Sequence, residues 1–150
     1  MDLRRGIDYI GVTCAFWCHD GNGRILMHKR GEQCRDEQGR WDCGGGSMEF
    51  GETFEECIQR ELMEEYGTEP LEMKRFLVDN VLREHNGKQT HWIKIVYWVL
   101  VDPSKVTNAE PDKHECLGWF TFDTLPSPLH SQVEVEVETL KNFLLGNAAL

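Results

Sequence analysis

The sequence lacks the patterns that would place the chain in a membrane or on a nucleic acid. It contains no apolar run approaching the roughly 18 residues that a membrane-spanning helix needs. Basic residues are also few: 16 lysines and arginines stand against 26 acidic residues, for a net charge of −10. A chain of this charge is repelled by a long polyanion and gains little from counterion release. We therefore expect neither a membrane nor a nucleic acid polymer as a partner.

Cysteine pairs of the kind that bind zinc or form disulfide frameworks are missing too. None of the six cysteines stands in a C-x-x-C pair, and no apolar signal segment precedes them. The nearest approach to a zinc half-site is Cys14-x-x-x-Cys18-His19, which has no evident partner pair. Reduced thiols in a cytoplasmic protein are therefore the preferred interpretation, with zinc as a minor alternative.

What the sequence does contain fits a single domain over residues 1–150. A chain of 150 residues with 40% hydrophobic content can bury a core, but it leaves no room for a second domain. Runs of β-branched and aromatic residues predict five strands, at residues 7–19, 24–28, 70–83, 91–102 and 118–122. With one helix in the middle of the chain and one at its end, this order predicts an α+β fold.

Two turns are expected to join neighbouring strands into hairpins. A Gly-rich turn at residues 20–23 ends the first strand, and Asn86-Gly87 separates the strands of the second pair. The run from 92 to 101 is apolar almost throughout, which predicts a central strand.

Two stretches admit alternative interpretations. Phe16 and Trp17 either line a base pocket or, as is more usual for aromatic residues in a strand, belong to the core. Residues 133–138 alternate as a strand would, but Ser131 and Glu134 form a capping box ahead of apolar residues at helical spacing. We therefore predict a closing helix.

The stretch from Gly46 to Thr68 is where we expect the chemistry, and its second half predicts one helix. Thr53 and Glu56 make a capping box, and Gly67 is able to close the C-terminus. Apolar residues recur on one face of this helix, at Phe54, Ile58 and Leu62.

Three glutamates of this helix, Glu61, Glu64 and Glu65, follow one another at i, i+3 and i+4. At about 100° per residue they lie within an arc of roughly 100°, where like charges repel. A solvated acidic face is the commonplace interpretation, and a site for a cation is the other. Oxygen ligands suit a hard ion, Mg²⁺ first and Mn²⁺ second. Glycines at 44–46 would let the backbone approach such an ion or a phosphate.

This stretch matches the Nudix box position by position, and the chain resembles a Nudix hydrolase. The matching residues are Gly46, Glu52, Arg60, Glu61, Leu62, Glu64, Glu65 and Gly67. Two positions depart from the pattern: Thr68 stands in place of a bulky aliphatic residue, and Gly44-Gly45-Gly46 in place of Pro-Gly-Gly. Neither departure removes a proposed ligand. Flanking features extend the resemblance to about residues 5–145.

The resemblance implies a mixed β-sheet sandwiched between helices and Mg²⁺-dependent hydrolysis of a diphosphate linkage in a nucleoside diphosphate derivative. The leading substrate is a nucleoside triphosphate, cleaved to monophosphate and pyrophosphate. The residues beyond the box that mark other substrate subclasses of the family are absent, because Glu84 and His85 occupy those positions. The alternatives are a nucleotide sugar or another diphosphate, and a domain that senses a nucleotide without hydrolysing it. A monomer or a homodimer is expected.

The resemblance also assigns metal ligands and a general base. The expected ligands within the box are Glu61, Glu64, Glu65 and the carbonyl of Gly46. A further acidic ligand is expected from the loop region beyond the second hairpin, with Glu115 as the first candidate and Glu110 as the second. In the alternative assignment, either Glu61 or Glu65 is the general base and not a metal ligand.

The remaining assignments concern the box loop and the substrate. Glu52 and Arg60 are expected to brace the loop against the helix without reacting. Among the basic residues ahead of the box, an arginine suits phosphate because its guanidinium matches the phosphate oxygens. The expected substrate contacts are Arg30, Trp41, Gly45 and Gly46.

Overall fold

A computed structural model describes residues 1–146, in which seven strands form one mixed sheet. The strands are β1 (Gly11–His19), β2 (Ile25–Arg30), β3 (Trp41–Asp42), β4 (Gly44–Ser47), β5 (Glu72–His85), β6 (Lys88–Leu100) and β7 (His114–Phe120). Two helices, α1 (Phe54–Tyr66) and α2 (Ser131–Leu144), pack on the sheet, which confirms the predicted α+β fold. Neither of these helices is long and apolar enough to span a membrane. Residues 147–150 of the predicted domain lie outside the described part.

Strand β6 lies inside the sheet, as its apolar run predicts. It pairs in parallel with the whole of β1, from Gly11↔Trp92 to His19↔Leu100, and antiparallel with β5 on its other side. The turn between β5 and β6 is Asn86-Gly87, with φ of 51° and 75°. Positive φ at both residues is the geometry that a two-residue hairpin turn requires, so the predicted hairpin is confirmed.

Strand β1 also positions the glycine stretch. Its first half pairs with β4, while its last residues pair with β2, which gives the predicted first hairpin. Strand β2 continues away from β1 and pairs with β3 and β7. As a result β4 is held between β1 and α1.

Strands β3 and β4 are not among the five predicted strands. Two of the predicted strands begin four residues from their predicted starts, whereas the other strand ends differ by three residues or fewer. β1 begins at Gly11 because residues 4–9 form a turn, in which Asp8 accepts hydrogen bonds from the backbone and the guanidinium of Arg4. β7 begins at His114, four residues before its predicted start, because its first residues pair with the end of β2. Glu115 therefore lies in a strand and not in the loop to which the resemblance assigned it.

The apolar side chains form two clusters, one with each helix. Phe16 packs in the cluster that contains Ile58 of α1, and Trp17 packs in the cluster that contains Val133 and Leu140 of α2. Both aromatic side chains are fully buried. The base-pocket interpretation is therefore wrong, and both residues belong to the core.

Helix α2 forms as predicted, but its cap differs. His130 is the N-cap residue, and its Nδ1 accepts a hydrogen bond from the Gln132 N–H at 3.1 Å. The Ser131 hydroxyl donates to Glu37 Oε2 at 3.1 Å and takes no part in a capping box. A partner so distant in sequence leaves no local pattern, which is why the predicted capping box at Ser131 was wrong.

A buried ion pair fixes α2 to the sheet. Lys94 Nζ lies 2.8 Å from Glu136 Oε2, and Trp17 Nε1 donates to Glu136 Oε1 at 2.9 Å. Both carboxylate oxygens and the ammonium thus have partners, as buried charges require.

The cysteines are free, and Cys14 and Cys18 are buried in the core. Within residues 1–146, the one group of three candidate metal-binding side chains contains no cysteine. The structure therefore gives the zinc alternative no support.

Candidate active site

Helix α1 has the two ends that the sequence predicts. Thr53 Oγ1 accepts from the Glu56 N–H and Glu56 Oε1 accepts from the Thr53 N–H, both at 3.1 Å. Gly67 adopts the left-handed conformation (φ 64°) and donates to the Met63 carbonyl. These caps fix where the helix starts and stops, and hence which face carries the glutamates.

The glycine strand β4 lies directly against the glutamates of α1. A Cβ atom at Gly46 would overlap the Glu61 carboxylate, and one at Gly44 would lie 2.7 Å from Glu65 Oε2. The Gly45 N–H donates to Glu65 Oε2 at 3.0 Å. Only glycine allows this approach. The Gly46 carbonyl accepts from Thr13 Oγ1 at 3.0 Å and from the Cys57 thiol at 3.9 Å, so an ion at this oxygen would replace the long thiol contact.

The three box glutamates differ in burial. Glu65 is 8% exposed, and burial raises its pKa well above the usual range, opposed by the Gly45 N–H. Burial also raises the pKa of Glu61, opposed by its hydrogen bond with Arg60. The Glu64 side chain is half exposed. A buried carboxylate that is costly to ionise needs positive charge nearby, and these oxygen donors therefore fit a hard divalent ion such as Mg²⁺ or Mn²⁺.

Arg60 connects the box loop to the helix. Its guanidinium donates to both carboxylate oxygens of Glu52, at 2.5 and 3.1 Å, and to the Ser47 carbonyl at 3.1 Å. It also donates to Glu61 Oε1 at 2.7 Å. One arginine therefore fixes the loop and a proposed metal ligand together.

The Glu52–Arg60 pair predicts a pH dependence of stability. The hydrogen bonds from Arg60 are the main reason that the pKa of Glu52 is lowered from 4.5 to about 2. Because the folded pKa is depressed, the stabilisation is complete above about pH 4.5 and is lost as the pH falls toward 2. Urea unfolding should show a stability difference between wild type and Glu52→Gln that shrinks to less than about half between pH 7 and pH 3. A difference independent of pH would contradict the assignment.

A second group of side chains meets Glu65 from the other side. Potential ligand atoms of Glu65, Glu110 and His114 all lie within 4.8 Å of one another. Glu110 comes from the loop before β7, and Lys113 Nζ lies 3.3 Å from its carboxylate. Of the two acidic candidates beyond the box, Glu110 is therefore the one that approaches a box glutamate.

Glu115 lies elsewhere. Its carboxylate is 3.7 Å from Lys29 Nζ, and its side chain is more than half exposed. His114, the preceding residue of β7, is buried beside Glu65. In the pairing of β7 with β2, the two neighbours of Glu115 lie opposite consecutive residues, Arg30 and Lys29, so Glu115 is the extra residue of an irregularity. Its carboxylate is directed to Lys29 at the surface and not to Glu65.

The expected substrate contacts are only partly available. Arg30 is paired with Asp36 at 2.9 Å and with Asp42 at 3.0 Å. A phosphate would have to displace one of these carboxylates from the guanidinium. Trp41 packs edge to face against Phe120, with ring centroids 5.1 Å apart.

The sequence interpretation missed the histidines beside the box helix. His28 of β2 and His114 of β7 stack with ring centroids 3.8 Å apart, and Tyr66 of α1 contacts His28 Nδ1 at 2.6 Å. Their proximity depends on the pairing of β2 with β7, strands that are distant in sequence. The one local hint was the spacing of Glu110 and His114, four residues apart.

Comparisons with known proteins agree with this geometry. Residues 9–143 match the family model described as the NUDIX domain. The chain is 44% identical over 111 residues to a protein named Nucleoside triphosphatase NudI from Enterobacter sp. (strain 638), covering 69% of this chain and 77% of the relative. It is 28% identical over 133 residues to a protein named 8-oxo-dGDP phosphatase NUDT18 from Mus musculus, covering 86% of this chain. The chain spans 37% of that relative's length and the same share of the human one.

Two solved structures have a similar fold. A structure titled as the MutT NUDIX hydrolase from Burkholderia pseudomallei superposes with a TM-score of 0.77 at 32% identity, covering 87% of this chain and 98% of that one. A MutT protein from Methanosarcina mazei Go1, at 22% identity and a TM-score of 0.65, covers 92% of this chain and 95% of that one. At this lower identity the second likeness concerns the fold alone. The mixed sheet between two helices is thus the architecture of these neighbours.

Proposed function

Because this chain belongs to the NUDIX family, we propose that it is a pyrophosphohydrolase that converts a nucleoside triphosphate and water to a nucleoside monophosphate and pyrophosphate. The observation that carries the proposal is the face of α1 where Glu61 and Glu65 are partly or fully buried against the glycine strand β4. The relative named as a nucleoside triphosphatase supports this choice of substrate.

The residues that would hold a divalent metal ion are Glu61, Glu64, Glu65 and the Gly46 carbonyl. When bound, an ion such as Mg²⁺ supplies positive charge to phosphate oxygens and lowers the pKa of an attacking water. The chain itself supplies a proton acceptor, because a carboxylate with a raised pKa takes up a proton more readily. Either Glu61 or Glu65 would take that role in place of binding the ion. Arg60 holds Glu61 and the box loop in place.

A nucleoside diphosphate with an oxidised base is the second candidate substrate. Two relatives named as 8-oxo-dGDP phosphatases support it, although the chain spans only 37% of their length. A domain that binds a nucleotide without hydrolysing it is the alternative outside the enzymes. The buried carboxylates argue against such a sensor, since their desolvation is costly unless it serves a bound ion.

A substrate panel separates these candidates. The chain would be incubated with Mg²⁺ and, in turn, with nucleoside triphosphates, 8-oxo-dGDP and nucleotide sugars, and the products would be identified by chromatography. We expect the highest kcat/KM with a nucleoside triphosphate. Preference for the oxidised diphosphate would overturn the substrate proposal, and nucleotide binding without turnover would overturn the enzymatic one.

Glu110→Gln is predicted to lower kcat about tenfold, or about 1.4 kcal/mol. Its carboxylate lies beside Glu65 but comes from a loop, so it should contribute to the transition state more than to folding. Steady-state kinetics would check kcat and KM, and thermal unfolding would check that the melting temperature is little changed.

Glu115→Gln is the matched control for Glu110→Gln. Its carboxylate contacts Lys29 at the surface, so we expect less than about a twofold change in kcat. The sequence-based order of the two candidates would be restored if Glu115→Gln proved the more damaging change.

A further inference from the structure

The imidazole of His114 is buried and makes no hydrogen bond to any residue between 1 and 146. Its Nδ1 is enclosed by protein, and its Nε2 lies 3.9 Å from Glu65 Oε1, beyond hydrogen-bonding distance. Buried side-chain nitrogens are normally hydrogen-bonded, so such an imidazole is unusual. Nε2 is the nitrogen directed at the carboxylates, and it is therefore free to bind a ligand held between them.

The ring of His114 is nevertheless held in position. It stacks on His28 at 3.8 Å with an angle of 21° between the rings, and His28 Nδ1 contacts the Tyr66 hydroxyl at 2.6 Å. The Asn108 amide also donates to the backbone carbonyl of His114 at 2.8 Å. These contacts orient the imidazole without using the nitrogen that lies closest to Glu65.

The spacing of the cluster fits an ion. Ligand atoms of Glu65, Glu110 and His114 lie within 4.8 Å of one another. Two ligands that are each about 2.1 Å from a common ion lie about 4.2 Å apart when they are opposite and about 3 Å apart when they are adjacent. The three side chains would therefore have to move closer together around an ion, and the loop that carries Glu110 can supply part of that movement.

The charges also favour a bound cation. Lys113 Nζ lies 3.3 Å from the Glu110 carboxylate, but the Lys113 side chain is largely exposed. Glu65 is buried, and within residues 1–146 the only basic side chain within 4.0 Å of its carboxylate is His114 itself. The buried carboxylate thus lacks a lysine or arginine partner in this part of the chain, and a bound cation would supply the positive charge.

We propose that His114 supplies a nitrogen ligand, together with Glu65 and Glu110, to a divalent ion, and that this site prefers Mn²⁺ to Mg²⁺. The inference rests on the proposed metal-dependent function and refines the identity of the metal. Imidazole nitrogen is a poor ligand for Mg²⁺, which favours oxygen, whereas transition metals accept both. The sequence ranks Mg²⁺ ahead of Mn²⁺ because the ligands it indicates are oxygen atoms only. A nitrogen ligand from His114 reverses that order.

The test is pulsed electron paramagnetic resonance of bound Mn²⁺ in protein prepared with ¹⁵N-labelled histidine. We expect a nitrogen coupling typical of a directly bound imidazole in wild type, and its loss in His114→Gln. His91→Gln is the control, since His91 lies on β6 and contacts Asn80 at 2.9 Å, in a different part of the sheet. Calorimetry should show that His114→Gln weakens Mn²⁺ binding about tenfold, or about 1.4 kcal/mol, and Mg²⁺ binding less than about twofold.

The outcomes separate this inference from the proposed function. Mn²⁺ that binds and supports turnover but shows no nitrogen coupling would overturn the role of His114 and leave the hydrolase proposal standing. Failure of both Mn²⁺ and Mg²⁺ to bind would overturn the metal assignment altogether. If His114→Gln does not fold, the labelled wild type still decides, because the coupling is either present or absent there.

Discussion

Glu64→Gln is expected to reduce kcat/KM about a thousandfold at saturating Mg²⁺, which corresponds to about 4 kcal/mol of transition-state stabilisation. The amide keeps the shape of the side chain but removes the charge that a divalent ion needs. Glu64 is the most exposed of the three box glutamates, so its substitution should disturb folding least. Steady-state kinetics with a nucleoside triphosphate would measure the loss, and thermal unfolding would verify that the variant folds.

The matched control is Glu69→Gln, an exposed glutamate just beyond the end of α1. It removes the same charge from the same region and should leave kcat/KM within about twofold, because screened surface charges contribute little. If Glu64→Gln and Glu69→Gln behaved alike, Glu64 would not be a metal ligand. Full turnover of wild type in metal-free buffer would argue the same way.

Arg60→Ala is expected to destabilise the fold by about 3 kcal/mol and to slow any reaction. Removing one partner of a buried ion pair costs about 3–5 kcal/mol, and the lower end applies because the Arg60 side chain is 26% exposed. For a chain of this length the melting temperature should fall by roughly 6–12 °C. The substitution would leave Glu52 and Glu61 without the guanidinium that contacts both.

Two comparisons make the Arg60 prediction specific. Arg60→Lys keeps the charge but loses the bidentate contact with Glu52, so it should recover only part of the stability. Arg4→Ala removes an arginine whose side chain is half exposed and whose partner Asp8 is also partly exposed, and it should lower the melting temperature much less. An unchanged melting temperature in Arg60→Ala would mean that Arg60 serves the substrate and not the fold.

Local features of the fold were predictable from the sequence. The capping box at Thr53 and the C-cap at Gly67 involve residues three or four positions apart. Because the contacting residues are neighbours in the sequence, their pattern alone predicts the contact. The Asn86-Gly87 turn is local in the same sense, because its two residues alone set the backbone geometry. The apolar run of β6 predicted a central strand because a strand covered on both faces leaves little place for polar side chains.

Features that depend on distant partners were not predictable. The start of β7 is set by its pairing with β2, and that pairing moves Glu115 from a loop into a strand. The same pairing brings His28 and His114 together beside Glu65, which no spacing along the chain could indicate. Glu110 was ranked behind Glu115 for this reason, although it is the one that lies in the cluster.

Phosphorus NMR of a nucleoside triphosphate incubated with the chain and Mg²⁺ tests the central proposal most directly. The account predicts equal amounts of nucleoside monophosphate and pyrophosphate, both absent when Glu64→Gln replaces wild type at the same concentration. Nucleoside diphosphate with inorganic phosphate as the products, or a nucleotide that binds and stays intact, would contradict it.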